Sequence, residues 1–180
     1  NRALGMVMAH GKILYPPASA KLNGTVGFTG QTMLIDRIMP RDIKENQFCD
    51  NKAEWNDVYS ALGAGPILMK NSQVVIQNAS AEFNLTQTAP RSAVGVTQNN
   101  NALLVVVDGR QPDWSAGATL AELAELFSFL NAKAALNLDG GGSSVMIINK
   151  QVVNRHSDES IPGYPGKVRP VANVIGLFPK

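Results

Sequence analysis

Two aspartates that close apolar runs, with three arginines near them in the sequence, are the residues of this chain best suited to chemistry. Asp139 stands in AALNLDGGGSSVMII, residues 134–148, between an apolar run and three glycines followed by two serines. Asp108 ends a second apolar run in ALLVVVDGR, residues 102–110. Paired carboxylates can divide nucleophile, base and acid roles across a glycosidic bond. Aspartates at such places also cap turns, and that plainer reading stands beside the first. The glycines add a reason for chemistry. A hairpin needs one glycine, or two, at left-handed positions, so Gly140, Gly141 and Gly142 together ask for bare backbone approaching a ligand. Successive N–H groups there can form a concave nest for an anionic oxygen, to which Ser143 and Ser144 add hydroxyl donors. A flexible turn is the alternative.

Arg91 opens an apolar run, Arg110 follows Asp108 by two residues, and Arg169 precedes the last apolar run. A guanidinium presents a bidentate fork to phosphate or carboxylate, although each arginine taken singly reads as surface charge. His10 and His156 are distant from one another and lack a metal-ligand partner nearby, so solvent-facing or structural roles suit both. LDGGGSS lacks the G-x-S-x-G elbow, which makes Ser143 a hydrogen-bond donor rather than a nucleophile. GAGP at 63–66 lacks the lysine and hydroxyl of a phosphate loop and reads as a helix stop.

These residues need elements to hold them. Residues 134–138 and 145–148 suit buried strands around the glycine loop. Residues 92–97 and 102–107 flank a QNNN turn as a further pair, which places Asp108 at a strand end. Thr119 to Glu122 forms a capping box, and Leu120, Leu123, Ala124, Phe127 and Leu130 repeat at helical spacing, predicting a helix over 119–130. Strand, helix and strand in that order bring the ends carrying Asp108 and Asp139 together if the two strands run parallel. Upstream, strand pairs are expected within 4–14 about His10-Gly11, at 25–28 with 32–39, and at 66–69 with 73–76 about Asn71-Ser72. Residues 41–57 read as an exposed loop and 55–62 as a short helix. Residues 77–90 and 154–170 read as polar connectors, and 171–178 as a final strand.

With 180 residues the chain is long enough for one core, and a single domain over 1–180 is expected. The formal charge is +2, from 16 basic and 14 acidic side chains without a basic run, so the footprint of a nucleic-acid partner is missing. No apolar segment approaches the roughly 20 residues of a membrane span. Cys49 is the single cysteine, which rules out an internal disulfide and a cysteine-built metal site. The fold class expected is α+β: a mixed, mostly antiparallel sheet with a few helices packed on it.

Long stretches of the sequence resemble the phosphodiester glycosidase family, whose members include the mannose 6-phosphate uncovering enzyme. The resemblance lies in ALGAGPILMKNSQVV at 61–75 and RSAVGVTQNNNALLVVVDGRQPDWSAGATLAELAELF at 91–127. It continues in ALNLDGGGSSVMIINKQVVNR at 135–155 and RPVANVIGLF at 169–178. It implies hydrolysis of the bond between the anomeric carbon of a sugar, typically N-acetylglucosamine, and a phosphodiester oxygen. Asp139 and Asp108 are the candidate catalytic residues: Asp139 would be the carboxylate facing the anomeric carbon, and Asp108 either the second carboxylate or the residue that holds an arginine in place. Gly65, Arg91, Arg110, Gly140, Gly141, Gly142, Ser143, Ser144, Arg169 and Asn173 would bind substrate. Ser92 stands where the family often has threonine and His156 where it often has proline.

The front at 4–14 looks like the segment that follows the family's Asn-Gly-Gly-Phe-Phe type loop, so an upstream segment or a partner chain is expected to supply that part. No cofactor is expected, with room left for a structural calcium, and the expected setting is extracytoplasmic. The partner expected is a small-molecule or glycan sugar-phosphodiester. The rival readings are a non-catalytic module binding sugar phosphates or cell-envelope glycans, and a structural domain completed by another chain.

Overall fold

The computed structural model describes residues 5–17, 24–76, 83–157 and 168–178. In chain order its strands are β1 Val7–Ala9, β2 Lys12–Tyr15, β3 Gly24–Phe28, β4 Met33–Arg37, β5 Ile43–Lys44, β6 Gln47–Phe48 and β7 Ser60–Ala64. They continue with β8 Ile67–Lys70, β9 Gln73–Val74, β10 Arg91–Thr97, β11 Ala102–Val107, β12 Ala132–Asn137, β13 Ile147–Ile148 and β14 Gln151–Val152; helix α1, Leu120–Phe129, lies between β11 and β12. Two five-stranded sheets form, ordered β2-β1-β7-β3-β4 and β11-β10-β12-β8-β9. The fold is α+β with mostly antiparallel strands, as the sequence led us to expect.

Alternation along the strands of the second sheet decides the layering. In β10, Ala93 faces the helix while Val94 and Val96 face the other sheet. Val94, Val96, Ala134 and Leu136 meet Val26, Met33, Ile35 and Ala64 of the first sheet in a shared core. On the opposite face, Leu120, Leu123, Ala124 and Phe127 of α1 pack on Leu68, Met69, Ala93 and Ala135. Full burial of a side chain of this size contributes on the order of 1.5–3 kcal/mol. The ring of Phe127 rests directly on Gly95, where an added Cβ would sit 2.6 Å from the ring. The capping box is present: the Thr119 hydroxyl accepts from the Glu122 N–H at 3.1 Å, and the Glu122 carboxylate accepts from the Thr119 N–H at 2.7 Å.

Four expectations need correction. Residues 41–57 are not an exposed loop. They build the β5–β6 hairpin and a 3-10 segment at Asp50–Asp57, and bury Phe48 and Trp55 beneath the first sheet with Met6, Ile38 and Val58. Apolar residues that far apart have no period, so their anchoring role is visible only once the chain is folded. Residues 55–62 are not a helix, because the chain leaves the 3-10 segment and enters β7, which pairs with both β1 and β3. Trp55 and Val58 crowd Gly27, so their helical spacing reflects a shared core and not a helix face. The run 145–148 forms only the two-residue strand β13, paired with β14, and its Ile147 and Ile148 are exposed rather than buried. The run 171–178 has no strand partner among the described residues, and only Ile175 packs against the core. Strand propensity needs a neighbour to pair with. Parts of the two polar connectors, 77–82 and 158–167, lie outside the described residues.

Candidate active site

The order of the second sheet sets the geometry of the site. β10 lies between β11 and β12 and is antiparallel to both, so β11 and β12 run parallel to one another with one strand between them. Arg91, the first residue of β10, pairs with Val107 at the end of β11, and the Leu138 N–H donates to the Ser92 carbonyl at 2.8 Å. Asp108 and Asp139 therefore leave the sheet at the same end, one on either side of Arg91.

A pocket of about 340 Å³ opens there, lined by Gln87, Ala89, Pro90, Arg91, Arg110, Asp139, Gly140, Gly141, Gly142 and Arg169. Its walls explain where each arginine sits. Arg91 Nε donates to the Ala118 carbonyl at 2.9 Å and Nη2 to the Gln87 carbonyl at 2.5 Å, which fixes the guanidinium against the loop. Arg110 has a left-handed backbone, φ 58°, and its N–H donates to the Ala116 carbonyl at 3.1 Å. A residue other than glycine in that region carries strain that the surrounding loop must hold. Its guanidinium lies on Gly141, where an added Cβ would stand 3.1 Å from Nη1. Arg169 Nη2 donates to Ser143 Oγ at 2.5 Å. Burial, and then the nearby charge of Arg110, lower the affinity of Arg91 for its proton. Two like charges brought this close, partly out of water, favour an anion between them.

The glycine run serves this arrangement in a way its sequence did not reveal. Gly140 passes so close to Pro90 that a Cβ would lie 2.7 Å from the Pro90 carbonyl oxygen, and Gly141 is left-handed at φ 61°. The N–H groups are mostly spent. That of Gly140 donates to Asp139 Oδ1 at 3.0 Å and that of Gly141 to the Pro90 carbonyl at 2.9 Å, leaving Gly142 as the glycine whose amide has no partner among the described residues. The three-amide nest is thus reduced to one available donor, and the arginines supply the other donors.

The two aspartates part company. Asp139 is exposed at the pocket, and its one hydrogen bond to a described residue is that from Gly140. Asp108 does not line the pocket. Its carboxylate accepts from Trp114 Nε1 at 2.9 Å, Asn154 Nδ2 at 3.0 Å and the Arg155 N–H at 3.0 Å. Burial pushes its pKa up, but those hydrogen bonds and the Arg155 charge outweigh burial and hold it below the ordinary aspartate value. Asp108 is the tie between the 108–118 loop and the 154–155 segment, which Gln111 reinforces by donating to the Arg155 carbonyl at 2.8 Å.

Gly65 is buried at the cis Gly65-Pro66 bond, where its carbonyl accepts from Asn137 Nδ2 at 2.9 Å. It does not reach the pocket. Ser144 is buried, and its carbonyl accepts from Asn154 Nδ2. Asn173 is exposed and is not among the lining residues. His10 is exposed and bonds the Tyr59 hydroxyl, whereas His156 is buried. Sequence reasoning missed Gln87, Gln111, Trp114, Asn137 and Asn154. All are polar or amphipathic residues in loops or at strand ends, where spacing carries no signal.

A larger cavity, about 480 Å³, lies at the opposite end of β10 and β12, beside Val96, Gln98, Lys133 and Ala134. Its Asp36 is already paired with Lys70 and with Lys52, so the charge there is met within the protein. The smaller pocket holds the concentrated cationic charge.

A family model described as phosphodiester glycosidase matches residues 1–178. The SPbeta prophage-derived protein YomE of Bacillus subtilis (strain 168) is 31% identical over 99 residues, which is 55% of this chain and 15% of that relative. Among solved structures, the catalytic domain of zebrafish N-acetylglucosamine-1-phosphodiester alpha-N-acetylglucosaminidase, auto-inhibited by its pro-peptide, superposes with a TM-score of 0.73 at 21% identity. The match covers 94% of this chain and 56% of that one. A protein from Synechocystis gives a TM-score of 0.50 at 26% identity, over 87% of this chain and 32% of that one. The chain thus spans well under two thirds of the length of each of these relatives.

Proposed function

The chain belongs to the phosphodiester glycosidase family, and from that premise we propose that it is a hydrolase cleaving the bond between a sugar anomeric carbon and a phosphodiester oxygen. The carrying observation is the convergence of Arg91, Arg110 and Arg169 with Asp139 on one pocket. Three guanidinium groups around one carboxylate suit a substrate that brings its own negative charge. N-acetylglucosamine is the proposed sugar, a choice supported by the name of the zebrafish enzyme that shares the fold.

The chemistry follows from charge. The bond from the anomeric carbon to the bridging oxygen breaks, its electron pair leaves with the phosphomonoester, and water supplies the hydroxyl of the free sugar. A phosphomonoester is a stable leaving group, so the step asks less for a strong general acid than for cations that neutralise the departing phosphate. The arginines and the Gly142 amide fill that role. Asp139 faces the anomeric carbon, where it stabilises the developing positive charge or attacks it. Asp108, with its hydrogen bonds already committed, is a positioning residue and not the second carboxylate. No step needs a metal, and turnover is expected to survive chelation.

The test is incubation of the purified protein with the methyl phosphodiester of N-acetylglucosamine 1-phosphate, with free sugar and methyl phosphate measured together. Equal release of the two supports the reading. Saturable binding with no product over long incubation would favour a binding module instead.

A further inference from the structure

We propose that Trp114 is a carbohydrate platform, stacking its indole against the C–H face of a sugar ring that lies beyond the cationic pocket in a glycan-linked phosphodiester. This rests on the reading of the pocket as a sugar-phosphodiester site. The observation behind it is a large aromatic side chain that is held firmly and yet left in water. Trp114 is 63% exposed. Its Nε1–H donates to Asp108 at 2.9 Å, and the Arg155 guanidinium lies over the ring with Cζ 5.9 Å from the centroid. The turn that carries it is closed by paired hydrogen bonds between Gln111 and Ser115, and Ser115 Oγ donates to the Asp108 carbonyl at 2.7 Å.

An indole fixed at its N–H, under a cation and on a closed turn has little freedom left to lose. Ordering an exposed side chain in this way is not needed for the core, since none of the three core clusters includes Trp114. The same ordering lowers the entropy cost of binding at the exposed ring. Its place in the chain favours the sugar over other partners. Trp114 lies outside the pocket lining but on the loop that delivers Arg110 to it, four residues away in sequence. In the proposed pose, a chain whose phosphodiester lies between Arg110 and Arg91 continues along that loop. A rigid aromatic with one polar edge suits a sugar ring, which has an apolar face and a polar rim.

The experiment has two arms. In the first, emission is followed while a phosphate-free N-acetylglucosamine trimer is titrated into the protein. The chain has two tryptophans, and Trp55 is 1% exposed, so a shift in the solvent-exposed component reports Trp114. The shift is expected in the wild type and absent in Trp114→Ala. In the second arm, kcat/KM is compared on the methyl phosphodiester and on a diester whose phosphate carries a further sugar. Trp114→Ala should lose about three- to tenfold more on the longer substrate, and Trp114→Phe should keep most of that difference. A merely structural role would lower both substrates alike, which overturns the proposal, as does a wild-type spectrum that does not respond to the trimer. Failure of hydrolysis with a normal spectral shift would sink the reading of the pocket and leave the platform standing.

Discussion

Replacing Asp139 with asparagine separates chemistry from architecture at this site. The fold asks little of the charge, because the carboxylate accepts one hydrogen bond from a described residue, the Gly140 N–H at 3.0 Å, and an asparagine carbonyl oxygen can accept the same one. Stability should therefore change by no more than about 0.5 kcal/mol. The chemical step should respond far more. A full negative charge about 4 Å from a carbon acquiring positive charge, at an effective dielectric near 20, is worth about 4 kcal/mol. That corresponds to roughly a thousandfold in kcat. Asp139 is the one carboxylate among the described lining residues, so none of the described neighbours in the pocket can take over the role. The assay is release of free sugar under saturating substrate, with a melting curve as the folding control. Slow turnover with near-normal KM is the expected pattern, since the arginines still hold the phosphate. A folded Asp139→Asn protein that turns over within a few-fold of wild type would refute the assignment.

Asp108 should behave in the opposite manner. Asp108→Asn turns an NH2 toward groups that are themselves donors, leaving at least one unpaired at a cost of about 1–3 kcal/mol, measured by chemical denaturation. Because its folded pKa is depressed, its contribution is fully present above about pH 4 and is lost as pH falls through the lowered value; acid unfolding of the variant should show a shallower dependence there. Inorganic phosphate should raise the melting temperature of the wild type, and Arg110→Ala should lose most of that rise while relieving repulsion on Arg91 in the free protein. Gly140→Ala places a Cβ 2.7 Å from the Pro90 carbonyl oxygen, so it should cost about 1–3 kcal/mol in stability and slow turnover by displacing Asp139.

Local pattern was enough for much of this molecule. The capping box and the apolar stripe from Leu120 to Phe127 specify α1, because both its start and its buried face are written in consecutive turns. The hairpins around His10-Gly11 and Asn71-Ser72 follow from turn residues that accept positive φ. The order strand, helix, strand puts Asp108 and Asp139 at one end of a sheet if the two strands run parallel, and β11 and β12 do so on either side of β10. Local pattern failed where a distant partner decides the outcome. Trp55 and Val58 look helical and are core contacts beneath β3; residues 171–178 look like a strand and have nothing described to pair with.

The site shows the same division. Residue types alone single out two aspartates, three arginines and a glycine run, and their chemistry follows from their side chains. Which aspartate keeps a free carboxylate was a tertiary matter. Asn154 and Arg155 arrive from 46 and 47 residues away to occupy Asp108, while nothing comparable among the described residues reaches Asp139. Only the fold brings Arg91 and Arg110 close enough to repel, and only the fold presses Gly140 against Pro90 so that glycine is required there. Sequence determined what each group can do; hydrogen bonds and close contacts between distant segments decided which groups remain available to do it.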